Sequence, residues 1–166
     1  MSRDAELRSL LDSAGVAWRP LAEAERAEAE AQWRAVYGRA FRGRPRLRHG
    51  GRADFEYARQ PAGRWLVVPL TAGVEGTSVS PPGPALGGYE CEGPVVPLGS
   101  LCGAEFAVSP ADLSWTMLYT HEDHALGGPY FVRREWVPTS PAEAIAAPDR
   151  GPPGGSDGEA HPDRGG

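Results

Sequence analysis

Two hydrophobic periods divide the chain. Near the N-terminus Leu7, Leu10 and Leu11 recur at helical spacing within Ser2 to Ser13; Ser2 can cap that helix, and Asp4 and Glu6 suit its positive end. Gly15 supplies the stop. "VAWRPL" (16–21) reads as a short extended piece, because Pro20 restricts Arg19 to extended geometry. A second helix is predicted over Ala22 to Tyr37. Ala29, Trp33, Val36 and Tyr37 form its apolar stripe, with Glu23, Arg26, Glu30 and Arg34 mostly off it. Trp33 and Tyr37 are expected as core anchors.

Beyond this point the period shortens. "ADFEYAR" (53–59) alternates weakly and reads as the start of strand structure. "RWLVVPL" (64–70) reads as a buried strand with Pro69 near its end. "YECEGPVVPL" (89–98) is broken by Gly93-Pro94 into at most two short strand pieces, and "AEFAVS" (104–109) is another strand. Ser109 and Asp112 have the spacing of a capped helical turn. "SWTMLYT" (114–120) alternates cleanly: Trp115, Met117 and Tyr119 point one way, Thr116, Leu118 and Thr120 the other. "YFVRREW" (130–136) is its expected antiparallel partner. Ser140, Pro141 and Glu143 open a short helix to Ala147.

Helices first and strands afterwards argue against a doubly wound sheet. The predicted fold is one α+β domain over residues 1–147, two N-terminal helices packed on a small, mainly antiparallel sheet. The Pro/Gly-rich segment 71–88 is expected to be a long mobile loop. Residues 148–166 hold no aliphatic side chain larger than Ala and are expected to be a disordered tail.

Composition narrows the function classes. The chain has no Lys and no Asn, all 17 basic residues are Arg, and Ile145 is its single Ile. This pattern suits a GC-rich genome. A net charge of −5 gives no general attraction to nucleic acid or anionic lipid. The opening "MSRDAELRSLLDSAG" mixes charges into a helical pattern and carries no apolar signal region, and no apolar run approaches membrane-spanning length. A cytoplasmic location with no membrane partner is therefore expected. Cys91 and Cys102 lack metal or redox spacing and are expected as reduced structural thiols; Cys91, between Glu90 and Glu92, is a poor nucleophile.

"GRAFRGRPRLRHGGR" (38–52) holds six arginines and no acid. Arg44, Arg46 and Arg48 are thus anion-binding candidates. An Arg-only composition inflates such runs, and a solvated loop balancing the acidic helix is the expected reading, with nucleic acid not expected as a partner.

The densest chemistry lies in the nine-residue connection His121 to Pro129. A hairpin needs fewer residues, so the extra length gives polar groups a place to converge. Gly127 and Gly128 permit positive φ, and Pro129 holds Gly128 extended. His121 and Glu122 are the candidate catalytic pair, with His121 as a proton shuttle held by Glu122 or a distant carboxylate. Thr120, Asp123, His124, Tyr130 and Trp115 are candidate binding residues. A metal site would use His121 and His124 with Glu122 or Asp123. The spacing is not that of HExxH, and only His49 could add an imidazole from the ordered region, so no metal and no cofactor is assigned. The favoured reading is structural: His121 donates to a backbone carbonyl and Glu122 accepts backbone amides, bracing the loop.

The same residues carry a resemblance. Trp115, Thr116, Thr120, His121 and Glu122, followed by Gly128, Pro129, Tyr130 and Phe131, form a W-T-x-x-x-T-H-E…G-P-Y-F signature. It resembles that of a group of small bacterial proteins sharing a domain of unknown function. "QWRAVYGRAF" (32–41) resembles the W-x-x-x-F helix of that group. The resemblance implies a compact α+β fold and a family role for the His-Glu turn, but no particular activity. By elimination, the expected function is a binding or accessory module for a small molecule or protein. The alternative is a small enzyme using His121 and Glu122 as an acid–base pair or as ligands of a divalent metal.

Overall fold

The computed structural model describes residues 1–38, 46–71, 86–101, 103–121, 123 and 127–138. Helix α1 (Arg3–Ser13) starts as predicted, the Ser2 side chain accepting the Ala5 amide at 3.2 Å. Strand β1 (Ala17–Pro20) follows, then α2 (Glu23–Tyr37). Ala22 offers no capping oxygen, so Glu25 alone reaches back to the Ala22 amide at 2.8 Å. Strand β2 (Arg48–His49) leads into α3 (Gly51–Ala58), and β3 (Gly63–Pro69), β4 (Tyr89–Gly93), β5 (Phe106–Pro110), β6 (Trp115–Tyr119) and β7 (Tyr130–Arg133) complete the sheet before a 3-10 turn at Arg134–Trp136.

The fold is α+β, as expected, with a larger sheet than the sequence suggested. Its seven strands run β1-β4-β3-β5-β6-β7-β2, every neighbouring pair antiparallel. The predicted partnership of β6 and β7 is present, with Thr116 opposite Val132 and Leu118 opposite Tyr130. The outermost strands are the short β1 and the two-residue β2.

Helices cover both faces. Leu7 and Leu11 of α1 and Ala53 and Tyr57 of α3 pack with Trp65, Val67, Phe106 and Met117 on one side. Trp33 and Tyr37 of α2 pack with Ala107, Leu118 and Val132 on the other. The two N-terminal helices therefore lie on opposite faces. All five residues of β6 are buried, so its alternation separates two cores rather than core from solvent. On the α2 side, Trp33 Nε1 donates to Thr116 Oγ1 at 2.7 Å, and Thr116 donates to the Val108 carbonyl at 3.2 Å. The Tyr37 hydroxyl donates to the Leu113 carbonyl at 2.6 Å, beside a turn in which Leu113 holds φ 56°.

Three local expectations need correction. "ADFEYAR" lies in α3, not in a strand: Ala53 and Tyr57 share one buried helical face, while Phe55 is 62% exposed. Glu30 is buried, because its carboxylate accepts the Thr71 amide and hydroxyl, the latter at 2.7 Å. Ser109 caps no helix; its Oγ is buried without a partner, and Asp112 accepts the Ser114 amide instead. At the described C-terminal end of segment 71–88, Leu86 is buried, the Gly87 amide donates to Asp4 at 2.8 Å, and the Gly88 carbonyl accepts from Leu21 at 2.9 Å. The interior of that segment, the helix expected to end at Ala147 and the tail 148–166 lie outside the described residues. Cys91 is a free, buried thiol on the same face as Tyr89, as expected; Cys102 is outside the described residues. Among the described residues no helix is long and apolar enough to cross a membrane.

Candidate functional site

One end of the sheet gathers the chemistry. The pairings Pro69 with Phe106, Phe106 with Tyr119, Leu118 with Tyr130 and His49 with Tyr130 bring together the ends or starts of β3, β5, β6, β7 and β2. The connections leaving those strands therefore converge here.

The chain leaving β6 is braced by Asp123. Its Oδ1 accepts both the Thr120 amide at 3.1 Å and the Thr120 hydroxyl at 2.7 Å, and its carbonyl accepts the Gly127 amide at 3.0 Å. This is the amide-accepting role that the sequence reading gave to Glu122, which lies outside the described residues together with His124. Gly127 does adopt a positive φ of 82°, and the Gly128-Pro129 peptide is cis. A Cβ on Gly128 would collide with the Asp123 carboxylate, so glycine is needed for the two segments to meet.

His121 is oriented by a partner distant in sequence. Its Nδ1 lies 2.5 Å from Glu105 Oε1, and the Glu105 side chain is 9% exposed. Phe106 opposite Tyr119 sets the residue before β5 against the chain leaving β6, which creates the pair. The "distant carboxylate" thus exists and is Glu105, where a backbone carbonyl was expected. A charged residue beside the "EFAVS" run reads as solvent-facing at a strand start, so nothing local marked it.

The start of α3 closes the site. Gly50 turns into the helix with φ 59°, a conformation that favours glycine, and its amide donates to the Pro129 carbonyl at 2.9 Å. Between α3 and the chain leaving β6 lies a cavity of about 310 Å³. Its walls are Gly50, Gly51 and Asp54 of the α3 start, Tyr119, Thr120, His121 and Asp123, then Gly128 and Pro129, with Gly99 and Leu101 from the β4–β5 connection. Burial pushes the Tyr119 hydroxyl well above its ordinary range, and the negative charges of Asp54 and Asp123 push it the same way. Partial desolvation raises the Asp54 carboxyl, although the residue as a whole is exposed.

The candidates separate cleanly. Thr120, His121 and Asp123 line the cavity. Tyr130 packs toward the α2 side of the sheet, and Trp115, at the far end of β6, stacks on Phe131 in the core. The Arg48 guanidinium sits 5.7 Å from the centre of the Trp136 ring, Arg46 is exposed, and Arg44 is outside the described residues. Neither Arg46 nor Arg48 lines the cavity. Sequence reasoning missed Asp54, Glu105, Tyr119 and the α3 glycines. Among the described residues, no three His, Cys, Asp or Glu side chains come together to hold a metal ion.

The chain matches no protein-family profile, no curated protein and no solved structure.

Proposed function

We propose that this is a small cytoplasmic binding or accessory protein whose ligand is a small polar molecule held in the cavity between α3 and the chain leaving β6. The observation that carries the reading is convergence. Polar groups from α3, β6 and the loop before β7 line one concavity, of a volume near the lower limit of small-molecule sites, about 300–1,000 Å³. The bracing of Thr120 by Asp123 and of His121 by Glu105 supports it, since a binding wall must be rigid before the ligand arrives. Nucleic acid is not a partner in this proposal, because among the described residues the cavity walls carry carboxylates and no arginine. A screen of small polar metabolites by two-dimensional amide NMR tests it: saturable shifts at Gly51, Thr120 and Gly128 are expected. Shifts confined to other surfaces would overturn it.

The Glu105–His121 contact favours a second reading. A buried carboxylate on Nδ1 fixes an imidazole's orientation and suits a general base. Glu105 then takes the supporting role first given to Glu122. Turnover in a hydrolase panel, lost in a folded His121→Ala variant, would favour the enzyme over the binding module.

A further inference from the structure

We infer that the cavity takes a small amine carrying a neighbouring hydroxyl or carbonyl oxygen, with Asp54 receiving the ammonium and Tyr119 donating to the oxygen. This rests on the binding reading above and names its ligand class.

The sign of the charge comes first. Among the described residues the cavity is lined by Asp54 and Asp123 and by no Arg, so these walls favour a cation. Asp123 is occupied by Thr120 through Oδ1. Asp54 is different: its carboxylate makes no hydrogen bond or ion pair among the described residues. It lies in the first turn of α3, at the positive end of that helix, and partial desolvation of its carboxyl makes a cationic partner the favourable one.

A second, independent group points to oxygen. Tyr119 is 3% exposed and lines the cavity. Its hydroxyl accepts the Leu98 amide at 3.4 Å, while its own proton meets no acceptor among the described residues. A buried donor without an acceptor is costly, and a ligand oxygen would satisfy it. A ligand carboxylate suits Tyr119 but is repelled by the two aspartates, so a neutral oxygen fits better. An ammonium beside a hydroxyl or carbonyl meets both demands.

The test titrates ethanolamine, ethylamine and acetate into the full chain, following the amide shifts of Gly51, Gly99 and Thr120. Probes of this size bind no tighter than about tens of micromolar. Saturable binding of ethanolamine, tighter than that of ethylamine, is expected. Asp54→Asn should weaken ethanolamine by about tenfold or more, the effect of one charge-assisted hydrogen bond. Tyr119→Phe, which keeps the ring stacked on Phe106, should erase the preference for ethanolamine over ethylamine. Saturation by acetate alone, or ethanolamine binding unchanged in Asp54→Asn, would overturn the amine assignment and leave the binding reading standing. No saturable shift from any of the three would also overturn the amine assignment, and the metabolite screen then decides the binding reading on its own.

Discussion

Gly128 presses its Cα against the Asp123 carboxylate so closely that an added Cβ would overlap Oδ1, and it would also approach Tyr130 Cε2 to 3.0 Å. Asp123 cannot retreat without releasing Thr120. Gly128→Ala should therefore cost about 1–3 kcal/mol, the usual range for overpacking. The cost should shrink when Asp123→Ala is already present, because the clash partner is gone. Thermal melts of the two single variants and the double variant measure this; equal costs in both backgrounds would contradict the relationship.

Glu105 and His121 should behave as a coupled pair. Removing His121 strands a nearly buried carboxylate, and Glu105→Gln removes the charge that holds the imidazole. Each change should cost about 1–3 kcal/mol, and the double variant should cost clearly less than the two together. Chemical denaturation of the four proteins decides; strict additivity would mean that the 2.5 Å contact contributes no stability.

Ser109 offers a gain. Its Oγ is buried and unpartnered, so Ser109→Ala removes a desolvated hydroxyl and little volume. A stabilisation of about 1 kcal/mol is expected, visible as a higher urea midpoint. A lower midpoint would show that the hydroxyl has a partner worth keeping.

Burial, with Glu90 adding to it, pushes the Cys91 thiol up from 9.0 to about 12. The folded chain thus keeps a proton that the unfolded chain releases first. The stability this contributes is complete below pH 9 and is lost as the pH climbs toward about 12. Near neutral pH, the peptide carrying Cys91 should be alkylated at least about a hundredfold more slowly in the folded protein than in urea. Mass spectrometry after pulsed labelling reads this, and comparable rates would contradict the burial of the thiol.

Legibility followed the range of the interactions. Ser2 capping α1, the Trp33 and Tyr37 stripe and the alternation of β6 are local, and all appear as read. α3 was lost because Phe55 and Tyr57 look like one strand face; only burial distinguishes an exposed Phe55 from Tyr57, whose hydroxyl donates to the Val96 carbonyl at 2.7 Å. Glu30 looked like a solvated helix charge because its partner, Thr71, arrives from the end of β3. At the site, His121, Thr120 and Asp123 could be named from one loop. Glu105 and Asp54 could not, since strand register and the packing of α3 deliver them from elsewhere.

The two rims of the sheet bear on crowding. A free strand edge invites another chain to add to it, and a protein with a seven-stranded sheet faces that hazard at both ends. Here one rim is β1, closed by Pro20, which has no amide to offer, and by Arg19, whose guanidinium is tied to Glu25 and Glu90. The other is two residues long, and Arg48 within it lies over Trp136. Neither rim gives an incoming strand a long, flat run of unpaired backbone. The molecule can carry a seven-stranded sheet and still resist templating fibrils from its own copies.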